Sequence, residues 1–323
     1  MIPQRHGLQD LQAIVLGRAG MDLYPVPRGT KTMDADTFNA DLGGSAGNIA
    51  VALARHGLTV GLTAPVSDDP VGRFVAQKLG YYGVEHLTPR PVTGAARTSL
   101  ALAESRSENC DVVIYRNQAA DFELTSANFD LTQVDRAPTL IATGTALALD
   151  PSRSTTIAAL QRTGFGILDL DYRAYTWAGE DEARRVYFKA IEACQAIVGN
   201  DDEFALLART NESGEEVAQR LAITRPSGFV VYKMGERGSV TFCRDQRFTT
   251  PIYTVNMLKP FGAGDAFMGA LLARVLAGAP LTDAVDFASA AAAIVVSREG
   301  CAQAMPTTDE VRSFIANASY RGR

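Results

Sequence analysis

The sequence has few of the residues that hold zinc or form disulfides. Its 323 residues include three histidines and four cysteines, and no two cysteines form a CxxC pair. Zinc sites need closely spaced Cys or His ligands, and disulfide-stabilised secreted domains use many cysteines for their length. The composition therefore argues against zinc and disulfides, and it favours the reducing cytoplasm as the location.

Long apolar runs, excess positive charge and the common nucleotide-binding patterns are also missing. No hydrophobic stretch reaches the roughly 20 residues that a membrane-spanning helix needs. The 31 basic and 36 acidic residues give a formal net charge of -5, which argues against a nucleic-acid surface. Without a GxxxxGK motif or an early GxGxxG, a P-loop NTPase and a typical dinucleotide dehydrogenase are not supported. Any phosphate site must use other groups.

Short apolar segments alternate with longer helical patterns along the chain. The apolar segments occupy residues 13–16, 60–65, 140–142, 166–170, 196–198 and 229–232. This βα rhythm predicts an α/β fold with a mostly parallel sheet covered by helices. Because 46% of the residues are hydrophobic and no linker or repeat interrupts the chain, we expect a single domain over residues 1–323.

Two stretches break this rhythm, at residues 22–42 and 98–116. The second stretch has two apolar strand-like runs separated by a polar turn, which is typical of a hairpin. We expect these strands to form a small sheet that covers a cleft as a lid and excludes water from it. Because apolar lid strands often pair across a two-fold axis, we predict a homodimer through the lid.

A glycine turn near the C-terminus has the layout of an anion site with a base beside it. Gly262, Ala263 and Gly264 lead through Asp265 into an apolar helix predicted over residues 266–276. Helix N-termini present unpaired amides, and glycine lets a phosphate approach them closely. A carboxylate there repels phosphate, so Asp265 makes chemical sense as the base that takes a proton during phosphoryl transfer. The alternative is a turn in which the aspartate caps the helix.

Residues near the N-terminus are suited to polyol recognition. Gly43 and Gly44 permit close approach of a ligand, and Asn48 supplies both a donor and an acceptor just before a helix predicted over residues 49–56. Asp22 can accept hydrogen bonds from two hydroxyl groups. An ordinary glycine-rich helix start and a turn aspartate are the alternatives.

Two clusters that follow predicted strands are suited to a metal and to phosphate. Asn200 and Glu203 lie on one helical face and can hold water around Mg²⁺, although a capping box is also possible. Lys233, Gly235 and Gly238 place a cation and two glycines where phosphate or ribose can lie, or they form an ordinary turn. Because parallel strands bring their carboxyl ends together, we expect these residues in one cleft.

Two arginines are candidates for binding a substrate carboxylate. Asp169, Asp171 and Arg173 alternate, which places them on one side of an extended chain. Arg173 can grip a carboxylate through two hydrogen bonds and so distinguish acids from neutral sugars. Tyr115 and Arg116 end a predicted lid strand. From there, the side chain of Arg116 would move over the cleft and contact the same ligand as Arg173. Both arginines can instead pair with nearby aspartates.

In order and spacing, these motifs resemble the ribokinase-like carbohydrate kinases of the PfkB family, over residues 14–312. The resemblance implies a three-layer α/β sandwich with a small β-sheet lid, and ATP and Mg²⁺ as cofactors. It implies that Asp265 is the base and that the amides of Gly262 to Gly264 form the anion hole. It assigns sugar contacts to Asp22, Gly43, Gly44 and Asn48, magnesium and phosphate to Asn200 and Glu203, and the substrate carboxylate to Arg116 and Arg173.

Within the family, residues 18–24, 144–148, 170–177, 258–265 and 304–306 resemble the sugar-acid kinases of myo-inositol catabolism. This implies ATP-dependent phosphorylation of 5-dehydro-2-deoxy-D-gluconate at its 6-hydroxyl. A kinase for 2-keto-3-deoxygluconate or fructose is one alternative. A sugar-binding regulator without catalysis, built on the same scaffold, is another.

Lys259 departs from the family pattern. Many relatives have an aspartate six residues before the catalytic one, where it helps to bind a monovalent cation, but this chain has a lysine there. Our hypothesis is that the ammonium group of Lys259 replaces the charge of that cation beside the anion hole. This predicts activity that is indifferent to potassium. A second departure is Asp171, which stands where the family usually has asparagine.

Overall fold

A computed structural model describes residues 10–106, 108–244 and 246–318, with strands β1–β13 and helices α1–α9 numbered in chain order. The large sheet contains β1 (Ala13–Leu16), β4 (Val60–Thr63), β5 (Val84–His86), β8 (Leu140–Thr143), β9 (Gly166–Asp169), β10 (Ala196–Asn200), β11 (Phe229–Lys233), β12 (Ser239–Cys243) and β13 (Gln246–Thr250). Its strand order is β13-β12-β11-β10-β9-β8-β1-β4-β5. The strands from β11 to β5 are parallel, and β12 and β13 extend one edge in antiparallel fashion. The predicted α/β fold is confirmed.

The helices pack on both faces of this sheet. They are α1 (Ser45–Arg55), α2 (Pro70–Tyr81), α3 (Ser152–Arg162), α4 (Glu180–Glu192), α5 (Asp201–Leu206), α6 (Gly214–Ile223), α7 (Ala263–Leu276), α8 (Leu281–Val296) and α9 (Thr308–Asn317). A hydrophobic core lies on each face of the sheet, and successive residues of β1 pack into different cores. Val15 packs in the core formed with α1, α7 and α8, and Ile14 packs in the core formed with α3, α4 and α6. A sheet buried on both faces needs continuous apolar strands, which explains the runs in the sequence.

A second sheet of four strands lies in the two stretches that break the βα rhythm. It contains β2 (Gly20–Val26), β3 (Thr37–Gly43), β6 (Leu100–Ala103) and β7 (Val112–Tyr115), in the order β3-β2-β6-β7. Strands β2 and β6 are parallel, and the outer pairs are antiparallel.

Two helices begin earlier than predicted. Helix α1 begins at Ser45 rather than residue 49, and α7 begins at Ala263 rather than residue 266, so Asp265 lies inside the first helical turn. The apolar run marks only the buried part of each helix, whereas the first turn faces a cleft and needs no apolar residues. Residues 1–9, part of the single domain expected for the whole chain, lie outside the described residues. Within the described ranges, no helix is long and apolar enough to cross a bilayer.

Candidate active site

A cleft of about 410 Å³ lies at the carboxyl ends of the parallel strands. One wall comes from the small sheet, through Ala101, Ala103, Val112 and Ile114. Most of the predicted site residues line this cleft, namely Asp22, Gly44, Asn48, Arg116, Asp171, Arg173, Asn200, Glu203, Lys233, Gly262, Ala263, Gly264 and Asp265. The convergence predicted from the strand ends therefore occurs.

Five predicted residues do not line the cleft, namely Tyr115, Gly235, Gly238, Gly43 and Lys259. Tyr115 lies on the face of β7 opposite to Ile114, and its side chain is 57% exposed. The prediction placed Tyr115 correctly at the end of a lid strand. It did not take into account that successive residues of a strand face opposite sides, so Tyr115 and Ile114 cannot both face the cleft. Gly235 and Gly238 belong to a tight turn between β11 and β12, closed by a hydrogen bond from the amide of Met234 to the carbonyl of Gly238 at 2.7 Å.

Gly43 lies behind the cleft rather than in its lining, where it makes room for Asp22. A Cβ atom at this position would stand 1.9 Å from Oδ1 of Asp22, so no larger residue fits. Asp22 is buried, and its Oδ2 accepts a hydrogen bond from the hydroxyl of Tyr24 at 2.9 Å. Burial raises the pKa of Asp22. The remaining oxygen is available to a ligand hydroxyl.

The turn before α7 opens the helix N-terminus to the cleft. Gly262 adopts a φ of 85°, a left-handed conformation that favours glycine. The first helical hydrogen bond runs from the amide of Ala266 to the carbonyl of Gly262 at 3.1 Å. The amides of Ala263, Gly264 and Asp265 come before it and have no partner within the helix. This is the geometry that binds anions at helix N-termini.

Asp265 lies in that first turn and accepts a hydrogen bond from Nδ2 of Asn48 at 2.8 Å. Burial, with a smaller effect from the charge of Asp171, raises the pKa of Asp265 to about 7. A carboxyl group with a pKa near neutrality can exist as the anion and can still accept a proton effectively, which is what a general base requires.

Asn200 and Glu203 form the capping box that the sequence left open as an alternative. The amide of Glu203 donates to Oδ1 of Asn200 at 3.1 Å, and the amide of Asn200 donates to Oε2 of Glu203 at 2.7 Å. Both residues still line the cleft. Burial raises the pKa of Glu203. Among the residues that the structure describes, no group of three His, Cys, Asp or Glu side chains is placed to hold a metal ion.

Lys233 ends β11 beside the start of α7. A Cβ atom added to Gly264 would lie 3.3 Å from Nζ of Lys233, so the ammonium group stands next to the open amides. Burial raises the pKa of both Asp169 and Glu203, and the charge of Lys233 opposes that rise. The lysine thus brings positive charge to an otherwise acidic part of the cleft.

The two arginines expected to grip a substrate carboxylate are engaged with aspartates. Arg116 donates from Nε and Nη2 to Oδ2 of Asp121, and both side chains are only 3% exposed. Nη2 also donates to the carbonyl of Thr145 at 2.9 Å. Arg116 therefore lines the cleft from within a buried ion pair, the alternative that the sequence left open. Arg173 pairs with Asp171 at 2.6 Å.

The prediction that Asp169, Asp171 and Arg173 alternate along an extended chain is wrong. Strand β9 ends at Asp169, and Asp171 has a φ of 34°, so the chain is not extended there. The three side chains line the cleft because the backbone turns, not because they alternate along a strand. Oδ2 of Asp171 is buried without a hydrogen-bond partner among the described residues.

Lys259 does not line the cleft. It lies behind the turn of residues 262–264 that opens α7, which we call the anion turn. Its side chain is fully buried, with an exposed fraction of 0%, and Nζ donates to the carbonyl of Phe261 at 2.7 Å. A Cβ atom on Gly262 would stand 3.4 Å from Nζ. Burial lowers the pKa of Lys259.

Sequence reasoning missed Arg18 as a site residue. This arginine lies two residues after the end of β1, lines the cleft and is 8% exposed. Its Nη1 donates to Oγ of Ser99 at 3.2 Å. Its place just after a parallel strand is the signal that could have identified it, since Asn200 and Lys233 were found by that rule.

The sequence pattern of the pfkB family of carbohydrate kinases matches residues 10–308. The chain belongs to this family. It is 38% identical over 314 residues to 5-dehydro-2-deoxygluconokinase of Photobacterium profundum, an alignment that covers 94% of this chain and 95% of the relative. It is 33% identical over 315 residues to the enzyme of that name in Geobacillus thermodenitrificans, with 94% and 93% covered.

Solved structures agree with the fold. A putative ribokinase II from E. coli in complex with ATP and Mg²⁺ superposes with a TM-score of 0.82 at 19% identity, and the match covers 95% of this chain and 99% of that one. The ribokinase-like fold of this pfkB kinase therefore has two parts, the large sheet with its helices and the small sheet over the cleft.

Proposed function

We propose that this pfkB kinase transfers the terminal phosphoryl group of ATP to the 6-hydroxyl of 5-dehydro-2-deoxy-D-gluconate, a step in myo-inositol catabolism. The names of the relatives at 38% and 33% identity support this substrate. The observation that carries the reaction type is the position of Asp265, a carboxyl with a pKa near 7 in the turn whose amides lack helical partners.

Asp265 acts as the general base in this proposal. The hydrogen bond from Asn48 occupies Oδ2 and leaves Oδ1 for the substrate hydroxyl. As that hydroxyl attacks phosphorus, its proton passes to Asp265, and the bond between the transferred phosphorus and the ADP oxygen breaks. Proton acceptance by a positioned side chain accelerates such a step by roughly 100-fold or more.

The first turn of α7 stabilises the negative charge on the phosphoryl group during its transfer. The amides from Gly262 to Gly264 provide fixed donors, and Lys233 adds an ammonium group beside them. The buried Lys259 adds a second positive charge from behind the turn. Preorganised donors and charges in a partly closed site are the main source of catalysis in phosphoryl transfer.

The sugar is held by β2 and the first turn of α1. Asp22 and Asn48 each have a buried side chain that can bond to hydroxyl groups. Gly44 lets the sugar lie close to the backbone, and Gly43 makes room for the side chain of Asp22. Oδ1 of Asn48 is buried with no partner among the described residues, which suits a hydroxyl donor from the ligand. Asp171, Arg173 and Arg116 complete the polar lining.

ATP and Mg²⁺ fit the end of the cleft near α5. Mg²⁺ prefers oxygen ligands and commonly keeps several waters, so the carboxylate of Glu203 and the amide of Asn200 are an adequate protein contribution. The capping box uses Oε2 of Glu203 and leaves Oε1 uncommitted among the described residues. When bound, the ion would neutralise phosphate charge. Lys233 is the residue proposed to contact the phosphates, and Gly235 and Gly238 shape the turn that follows it.

The test is a coupled ADP-release assay with purified enzyme over 5-dehydro-2-deoxy-D-gluconate, 2-keto-3-deoxygluconate and D-fructose. We expect the highest kcat/KM with the first substrate, by at least about 10-fold. An equal or higher value with fructose or 2-keto-3-deoxygluconate would replace the proposed substrate by that alternative. Binding of the sugars without any ADP release would instead support a regulator without catalysis.

We also propose that two copies pair through the small sheet, in the cytoplasm. The edge strand β7 exposes Val112, Val113 and Tyr115, which is unusual for apolar side chains on a free strand edge. The four cysteines are free, as a reducing compartment requires. Sedimentation of wild type and Val113→Lys checks the pairing, and we expect a dimer for the first and a monomer for the second. A wild-type monomer at micromolar concentration would contradict it.

A further inference from the structure

Three arginines line the cleft, and the described residues neutralise two of them. Arg116 is in a buried ion pair with Asp121, and Arg173 is in an ion pair with Asp171 at 2.6 Å. An arginine that already has a carboxylate partner gains little from a second one. Neither residue is therefore suited to be the main anchor of a substrate carboxylate.

Arg18 differs from both because no carboxylate pairs with it. None of the ion pairs between described residues involves Arg18, and Nη1 of Arg18 donates to the neutral hydroxyl of Ser99 at 3.2 Å. Arg18 is nevertheless a buried residue, 8% exposed. A buried charge without an ionised partner is costly, so this arrangement is explained if a ligand brings the anion.

The surroundings of Arg18 keep it free for that anion. Asp22 is the nearby carboxylate whose pKa it lowers, but Asp22 is turned toward the hydroxyl of Tyr24 instead. Gly20 provides space, because a Cβ atom there would stand 3.3 Å from Nη1 of Arg18. A side chain at this position would crowd the guanidinium group.

Arg18 lies on the side of the cleft proposed to hold the sugar. It lines the cleft together with Asp22 and Asn48. The amide of Gly47, in the first turn of α1, donates to the carbonyl of Arg18 at 3.2 Å, so the backbone of Arg18 lies beside the turn that carries Asn48. A sugar acid bound by Asp22 and Asn48 therefore meets a cation on that side.

We propose that Arg18 binds the carboxylate of the sugar acid and is the residue by which the enzyme prefers acids over neutral sugars. This assignment rests on the proposed function. The guanidinium can donate two parallel hydrogen bonds to a carboxylate, which fixes the orientation of the acid as well as adding affinity. Arg116 and Arg173 then shape the cleft and hold its charged wall in place.

The test compares two inhibitors that differ only at carbon 1, 2-deoxy-D-gluconate and 2-deoxy-D-glucitol, with wild type, Arg18→Gln and Arg18→Lys. We expect wild type to prefer the acid by about 10- to 100-fold, the usual range for a charged hydrogen bond. Arg18→Gln is expected to lose this preference and to raise KM for 5-dehydro-2-deoxy-D-gluconate by a similar factor, with kcat within about 3-fold. Arg18→Lys restores part of the preference because it keeps the charge.

Matched variants separate the possible failures. Arg90→Gln removes an exposed arginine outside the cleft and is expected to behave as wild type. If Arg18→Gln keeps the acid preference while Arg173→Gln or Arg116→Gln loses it, the proposal for Arg18 is overturned but the proposed function stands. If wild type shows no preference for 2-deoxy-D-gluconate over 2-deoxy-D-glucitol and no turnover of 5-dehydro-2-deoxy-D-gluconate, the proposed function itself fails. Thermal shifts with each inhibitor report binding without relying on activity.

Discussion

Asn48 donates a hydrogen bond from Nδ2 to Oδ2 of Asp265 across 2.8 Å. The two residues lie in the first turns of α1 and α7, so the bond joins the sugar side of the cleft to the catalytic turn. Oδ1 of Asn48 is buried without a partner among the described residues. One amide group can therefore orient the proposed base and contact the sugar at the same time.

Replacing Asn48 by Leu is expected to move the acid limb of kcat/KM to higher pH. The base works when deprotonated, so activity falls as pH falls through the pKa of Asp265, which is about 7. Asn48 donates to the anion and lowers this pKa, so removing the donor raises it. The pH dependence of kcat/KM between pH 5.5 and 9, roughly the range over which such a group titrates, measures the shift. An unchanged acid limb would mean that Asp265 does not control the reaction.

Replacing Lys259 by Met is expected to reduce kcat by roughly 10-fold or more while KM for the sugar changes little, because a fixed charge behind the anion turn is lost. Wild-type activity is expected to stay the same when potassium replaces an inert cation. Steady-state assays in both salts check this. The exposed Lys189→Met variant is the matched control and should match wild type. Strong potassium activation of the wild type would contradict the role given to Lys259.

Replacing Glu203 by Gln is expected to raise the Mg²⁺ concentration for half-maximal activity by roughly 10-fold, since the variant keeps the capping bond but loses the charge. A Mg²⁺ titration at fixed ATP measures this. Glu216→Gln offers a close control, because Glu216 forms the same capping box with Ser213 on α6, away from the cleft. If both variants respond alike, the effect comes from helix capping and not from the metal.

Replacing Asp121 by Asn is expected to lower the free energy of unfolding by about 3 kcal/mol, because the buried Arg116 loses its only ionic partner among the described residues. Denaturant unfolding of the two proteins gives the difference. Asp135→Asn breaks an exposed pair with Arg162 and should cost no more than about 1 kcal/mol. Equal losses in the two variants would show that burial does not distinguish the pairs.

The sequence was sufficient to predict features that depend on local composition. Buried parallel strands must be apolar throughout, so β1, β8 and β10 stand out as short runs. The glycine turn before α7 was also predictable, because the small residues at 262–264 precede a long apolar run, and the structure has a helix that begins at Ala263. Such features need no knowledge of distant residues.

Features that depend on tertiary neighbours could not be predicted. The sequence allowed Arg116 to pair with a nearby aspartate, but it could not decide between that pairing and a ligand, because the choice depends on burial. Nor could it show that Arg18 would have no ionic partner in the described part of the chain. The direction of Tyr115 depends on the phase of β7 relative to the cleft, which the register of the small sheet sets. The φ of 34° at Asp171 arises where the chain leaves β9, and an alternating pattern cannot reveal it.

The most direct measurement is the turnover of Asp265→Asn with 5-dehydro-2-deoxy-D-gluconate and ATP, alongside calorimetric binding of the sugar. We predict a loss in kcat of roughly 100-fold or more with sugar affinity within a few-fold of wild type, because the amide cannot accept the proton but occupies the same space. Turnover close to that of the wild type would show that another group, or no group, removes the proton, and the assignment of Asp265 would be wrong.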